Sequence, residues 1–103
     1  MQNIYKWSRG ECVSTPVYLG PARSRITYEP LGVVGIIGSW NFPLYTCLSP
    51  LISAIAAGNT AVIKPSEVAP HSLLKIKSLI TRAMDMMAYP CIEGQVEVAK
   101  AMS

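Results

Sequence analysis

The chain has 103 residues, of which 50% are hydrophobic and 15% charged, and nine Lys or Arg against six acids give a net charge of +3. That length accommodates one small domain at most, and so apolar a composition is expected of a piece of a larger interior or interface. The basic residues are scattered, with no run beyond close pairs such as Arg23 and Arg25, and Phe42 is the sole phenylalanine, so the basic stripe of a nucleic-acid partner is absent.

In chain order, "TPVYLGPARSRITYEPLG" holds two short strand candidates, Val17–Leu19 and Ile26–Glu29, separated by Gly20–Pro21 and basic residues. They suit an antiparallel arm or an extended crossing segment. Gly32 then introduces "VVGIIGSW", whose branched residues suit a central strand. "PLYTCLSPLISAIAAG" reads as a helix with Pro43 in its first turn and Gly58 at its end. Pro50 either kinks this helix or begins a shorter one capped by Ser49.

"TAVIK", Thr60 to Lys64, is the next strand. In "SEVAPHSLLKIKSLITRAMDMMA" the residues Leu73, Ile76, Ile80, Met84 and Met87 recur at three- or four-residue intervals and predict a helix with one apolar side. "AYPCI", Ala88 to Ile92, predicts a third strand, and "QVEVAKAM" the start of a further helix after a break at Gly94. The expected fold is α/β: a partial doubly wound, mostly parallel Rossmann-like sheet preceded by an extended arm. Adjacent parallel strands are expected at Val33–Ile37, Ala61–Lys64 and Tyr89–Ile92. The arm covers residues 1–30 and the α/β part residues 31–103.

This order puts the turns "GSWNFP" and "KPSE" on the carboxyl rim of the sheet, where open α/β sheets bind ligands. Lys64 and Glu67 offer a donor and an acceptor to the hydroxyls of a diol, or else form an ordinary exposed ion pair. Asn41 offers two N–H donors to a developing oxyanion, or else caps the helix that follows. Trp40 shields a ligand or packs in a core or interface. Gly32, Gly35 and Gly38 are spaced by threes, so no G-x-G-x-x-G cradle for a pyrophosphate is present.

Cys12, Cys47 and Cys91 have no paired spacing, and the lone His71 completes no Cys/His metal set; reduced, buried or half-buried thiols are expected and no metal. Glu93 and Glu97 read as surface or cap residues, and Gly94–Gln95 as a local turn. No secretory leader or membrane span is evident, so an intracellular, by default cytoplasmic, location is expected, with organellar or peripheral membrane association left open.

"YEPLGVVGIIGSWNFP" followed by "SPLISAIAAGNTAVIKPSEVAP" resembles the nucleotide-binding core of the aldehyde dehydrogenase superfamily. The Glu-Pro-Leu-Gly-Val-Val opening and "YPCIEG" are most similar to its class 3, fatty and aromatic aldehyde branch. The resemblance extends from about Thr15 to Met102. It implies oxidation of an aldehyde to a carboxylate with NAD or NADP. On that resemblance Asn41 matches the asparagine of the oxyanion hole, Lys64 and Glu67 match the adenosine-ribose contacts, and Gly38, Ser39, Trp40 and Ser66 fall on cofactor-lining turns. The arm resembles the segment that joins the oligomerisation region to the cofactor domain, which implies a homo-oligomer or larger assembly.

The chemistry of that family attacks the aldehyde with a cysteine thiolate, forms a thiohemiacetal, passes hydride to the nicotinamide and hydrolyses the thioester with a glutamate. None of the three cysteines matches that nucleophile, which belongs to a downstream catalytic domain. The chain is therefore expected to be a fragment of such an enzyme, inactive alone. The alternatives are a shortened family member serving as a structural subunit and an autonomous nucleotide-binding module.

Overall fold

The computed structural model describes residues 9–103. Those residues form an antiparallel ribbon followed by a mixed α/β body. In the ribbon, β1 (Glu11–Val13) pairs with β2 (Ser24–Ile26), Cys12 lying opposite Arg25. Val17–Leu19, expected as a strand, is instead a single 3-10 turn. Pro16 enters it at φ −58°, and Gly20 leaves it at φ 65°, so the chain reverses where a strand would need to continue. The strand expected at Ile26–Glu29 lies earlier, because its partner is Glu11–Val13, a segment with no alternation long enough to mark it. The first eight residues of the expected arm fall outside the described residues.

β3 (Val33–Ile37) runs parallel to β4 (Thr60–Lys64), with Val33 opposite Thr60 and Ile37 opposite Lys64. The crossover between them is α1 (Pro43–Ala56). Pro43 occupies the first turn, where a missing N–H costs nothing. Pro50 neither starts a new helix nor breaks this one. It lacks the N–H that would bond the Thr46 carbonyl, but Cys47, Leu51 and Ala54 are buried along one face and hold the helix together. The helix closes with Gly58 at φ 81°: its N–H bonds the Ile55 carbonyl at 3.0 Å, and Asn59 N–H bonds Ala54 at 2.9 Å. Asn59 is itself buried, and its Oδ1 accepts the Gly32 N–H at 2.9 Å, tying the end of α1 to the start of β3.

α2 (Pro70–Ala83) buries Leu73, Ile76 and Ile80, three of the five expected positions. Met84 lies just past its end and still packs on the core, whereas Met87 is 90% exposed. The third strand is reduced to one parallel bridge between Ile63 and Cys91, flanked by bonds from Ile63 N–H to Pro90 and from Ile92 N–H to Ile63. Pro90 has no N–H to extend the ladder. α3 (Val96–Met102) follows. Ile36, Cys47, Leu51, Ala61, Ile63 and Ile76 form the centre of the core, joined by Val34 at its margin. Gly35, which alternates with Val34 and Ile36, instead lies against Met102 on the other face of the sheet.

The chain exposes 7824 Å², against roughly 5,700 Å² for a compact monomer of this mass. Large apolar side chains account for part of that surface: Leu31, Val33, Phe42, Tyr45 and Val68 are all more than half exposed. Among the described residues no helix is long and apolar enough to cross a membrane.

Candidate functional site

The carboxyl ends of β3 and β4 meet through one backbone bond, from Gly38 N–H to the Lys64 carbonyl at 2.9 Å. That bond brings the two expected turns side by side. Gly38 is required there on packing grounds, since a Cβ would run into Cys47 Sγ, which is fully buried beneath it. From Gly38 the chain rises into a short loop and enters α1 at Pro43. Ser39 N–H donates to Thr46 Oγ1 at 3.1 Å, and that hydroxyl donates to the Phe42 carbonyl at 3.0 Å.

Asn41 lies exposed in this loop and does not cap the helix; the residue at the cap is Phe42, with no side-chain bond. Asn41 Oδ1 instead accepts from Ser39 Oγ at 2.7 Å. Among the described residues its Nδ2 donates to none, so both N–H groups are available. Trp40 stands 65% exposed beside it, which removes it from the core of this chain.

Lys64 is 2% exposed, and its Nζ donates to Glu67 Oε2 at 2.7 Å. The surface-pair alternative therefore fails for the lysine: a buried ammonium depends on its carboxylate partner. Glu67, 37% exposed at its side chain, reaches solvent with the rest of its carboxylate. The hydrogen bond from Lys64 holds the Glu67 carboxyl below the usual carboxylate range. Ser66 is buried and its Oγ accepts the Val68 N–H at 3.3 Å, so it shapes the turn that presents Glu67.

Beside Glu67 opens a cleft of about 340 Å³, walled by Pro70, Leu73 and Leu74 of α2 and by Glu93, Gly94 and Gln95. Of the expected site residues only Glu67 lines it; the loop carrying Asn41 belongs to a separate part of the rim. Glu93 and Gly94–Gln95, expected as surface, cap and turn residues, thus form the second wall. Glu93 is held by an ion pair with Lys77 of α2. Local sequence carried no signal of this, because the partners are 16 positions apart. An acceptor carboxylate next to an apolar cleft suits a ring bearing a diol.

Two of the three thiols, Cys47 and Cys91, are buried. Cys12 is exposed on the arm, against the expectation of burial, since β1 packs chiefly on β2. Burial pushes the Cys47 thiol up, partly offset by a bond with Thr46, and burial with the nearby Cys47 pushes up Cys91. A raised thiol is a poorer source of thiolate. No group of His, Cys, Asp and Glu among the described residues could hold a metal ion.

The sequence pattern of the aldehyde dehydrogenase family matches residues 6–103. The chain is 43% identical over 101 residues to 4,4'-diaponeurosporen-aldehyde dehydrogenase of Staphylococcus aureus, covering 98% of this chain and 22% of that one. It is 40% identical over 96 residues to the dimeric NADP-preferring aldehyde dehydrogenase of Mus musculus, covering 93% and 21%. Family 3 members of Arabidopsis thaliana are among the relatives. Superposed on the substrate-bound Staphylococcus aureus AldH, it gives a TM-score of 0.92 at 43% identity, over 97% of this chain and 22% of that one. The chain spans about a fifth of the length of these relatives. Their shared α/β fold resembles the mixed, Rossmann-like arrangement seen here. By the extent of these matches, the chain belongs to the aldehyde dehydrogenase family.

Proposed function

We propose that this chain is the N-terminal part of the cofactor-binding domain of an NAD- or NADP-dependent aldehyde dehydrogenase, the complete enzyme oxidising an aldehyde to a carboxylic acid. The observation that carries the reading is the buried Lys64 paired at 2.7 Å with the half-exposed Glu67 at the mouth of an apolar cleft. The residues fit the cofactor's adenosine half: Glu67 accepts from ribose hydroxyls, Lys64 donates to their oxygens, and Leu73, Leu74 and Pro70 cover a flat base. Ser66 shapes the turn that presents Glu67, and Gly38, Ser39 and Trp40 build the neighbouring turn on the same rim, which on this reading the cofactor also meets. When bound, the cofactor supplies a hydride acceptor. Asn41 directs its amide N–H groups at the oxygen of the reacting carbonyl. The nucleophilic cysteine that forms the thiohemiacetal lies, on this reading, in a downstream region.

The arm is assigned to residues 1–30 and the cofactor domain to residues 31–103, the latter a partial doubly wound unit. Met102 against Gly35 supports that topology, because it puts α3 across the sheet from the face that packs on α1 and α2. The exposed apolar surface supports coverage by the remainder of the enzyme and by further copies in a homo-oligomer. Unpaired thiols, Cys12 exposed among them, fit a reducing intracellular setting, by default the cytoplasm.

The test compares the wild type with Glu67→Gln in the complete enzyme, measuring cofactor affinity and the single-turnover rate of cofactor reduction. Glu67→Gln is expected to weaken cofactor binding and leave the hydride-transfer rate nearly unchanged; unchanged affinity refutes the assignment. The 103-residue chain alone, supplied with NAD or NADP and aldehydes, is expected to show no turnover at 340 nm. Turnover abolished by replacing Cys12, Cys47 or Cys91 would refute the incomplete-site reading and favour a self-sufficient module.

A further inference from the structure

We propose that Ser39, held in place by Thr46, is the positioning residue that sets the orientation of the Asn41 amide. The inference rests on the reading of Asn41 as a donor to the oxyanion. An exposed asparagine turns broadly about its last side-chain bond, and each half-turn exchanges its acceptor oxygen with its donor nitrogen. An oxygen facing the substrate would oppose the charge that a nitrogen is there to stabilise. In this structure Ser39 Oγ donates to Asn41 Oδ1 at 2.7 Å, which directs Nδ2 away from Ser39. The same bond draws electron density onto the amide oxygen and makes the two N–H groups stronger donors.

Ser39 can do this only if its own backbone is fixed. Its N–H is bonded to Thr46 Oγ1 at 3.1 Å, and Thr46 closes the far end of the loop by donating to the Phe42 carbonyl at 3.0 Å. One side chain on the first turn of α1 therefore ties the loop before and after Asn41. Just upstream, Gly38 is anchored to Lys64. The loop carries an exposed amide on a backbone pinned at three points.

A double-mutant cycle in the complete enzyme tests the assignment. Asn41→Ala is expected to lower kcat roughly 10²- to 10³-fold, the usual cost of losing one oxyanion donor. Ser39→Ala is expected to lower kcat about three- to ten-fold, the range of a single hydrogen bond, with Ser39→Thr restoring the rate. In the Asn41→Ala background, Ser39→Ala should cost nothing further. If Asn41→Ala leaves kcat unchanged, the reading of Asn41 has failed. If Asn41→Ala is impaired but Ser39→Ala is not, or if Ser39→Ala costs the same in both backgrounds, the positioning role is overturned. A second measurement needs no activity. Selective ¹⁵N-asparagine labelling of the complete enzyme, with Asn41→Ala and Asn59→Ala to assign their signals, follows these two side-chain amides by NMR. Ser39→Ala should shift the Asn41 amide pair and leave that of the buried Asn59 in place, and Ser39→Thr should return it; an unmoved Asn41 pair overturns the proposal.

Discussion

Replacing Gly38 with alanine tests the packing beneath the candidate site. A Cβ at this position overlaps Cys47 Sγ, while its next neighbours, Pro65 Cα at 3.5 Å and Thr46 Oγ1 at 3.6 Å, are at ordinary contact distances. The conflict is therefore with one sulfur atom, fully buried on a helix that has Leu51 and Ala54 packed along the same face. Overpacking of this kind costs about 1–3 kcal/mol. Cys47→Ala deletes the sulfur and, like other one-atom core deletions, costs about 0.5–1.5 kcal/mol. In the double variant the new methyl enters the space that the sulfur leaves. The cost of the double variant should then fall short of the sum of the two single costs by about 1 kcal/mol or more, within the range for contacting residues. Urea unfolding of the four proteins, read by tryptophan fluorescence, gives the coupling directly. Costs that add within about 0.5 kcal/mol would refute the close packing of Gly38 on Cys47.

Two further outcomes are expected. The Glu67 carboxyl is held below its ordinary value of 4.5 by Lys64, so its protonation opposes folding. The contribution is fully present above pH 4.5 and is lost as pH falls from there through the lower folded value. Stability measured across that range should fall less steeply in Glu67→Gln than in the wild type, and equal slopes would contradict the pairing. Thiol labelling under native conditions should modify Cys12 rapidly, whereas Cys47 and Cys91, both buried, should react only on unfolding. Equal rates at all three would contradict the core described above.

The segment from Val33 to Lys64 was legible in the sequence because each signal there is local: branched runs for the strands, a proline at the helix start and a glycine at its end. The arm was harder to read. Strands of three residues carry no usable alternation, and a proline and a left-handed glycine turn Val17–Leu19 into a 3-10 turn. Pro90 shows how a favourable strand composition shrinks to a single bridge once the missing N–H is counted. In the candidate site, the spacing of Lys64 and Glu67 suggested their contact, but local spacing carried no signal of the burial of Lys64. The second wall of the cleft was invisible because Glu93 is drawn to α2 by Lys77, 16 positions away, and Gly94 follows from it. Asn59 carried no local signal of its role, because its carboxamide serves a backbone N–H 27 positions away.

A crystal structure of the complete enzyme with NAD or NADP bound tests the central claim most directly. The adenosine ribose hydroxyls are expected within hydrogen-bonding distance of the Glu67 carboxylate and the Lys64 ammonium. The base should lie in the cleft between Leu73 and Leu74 on one side and Gly94 and Gln95 on the other. A cofactor bound elsewhere, with Glu67 contacting Lys64 alone and the cleft left to solvent, would contradict it.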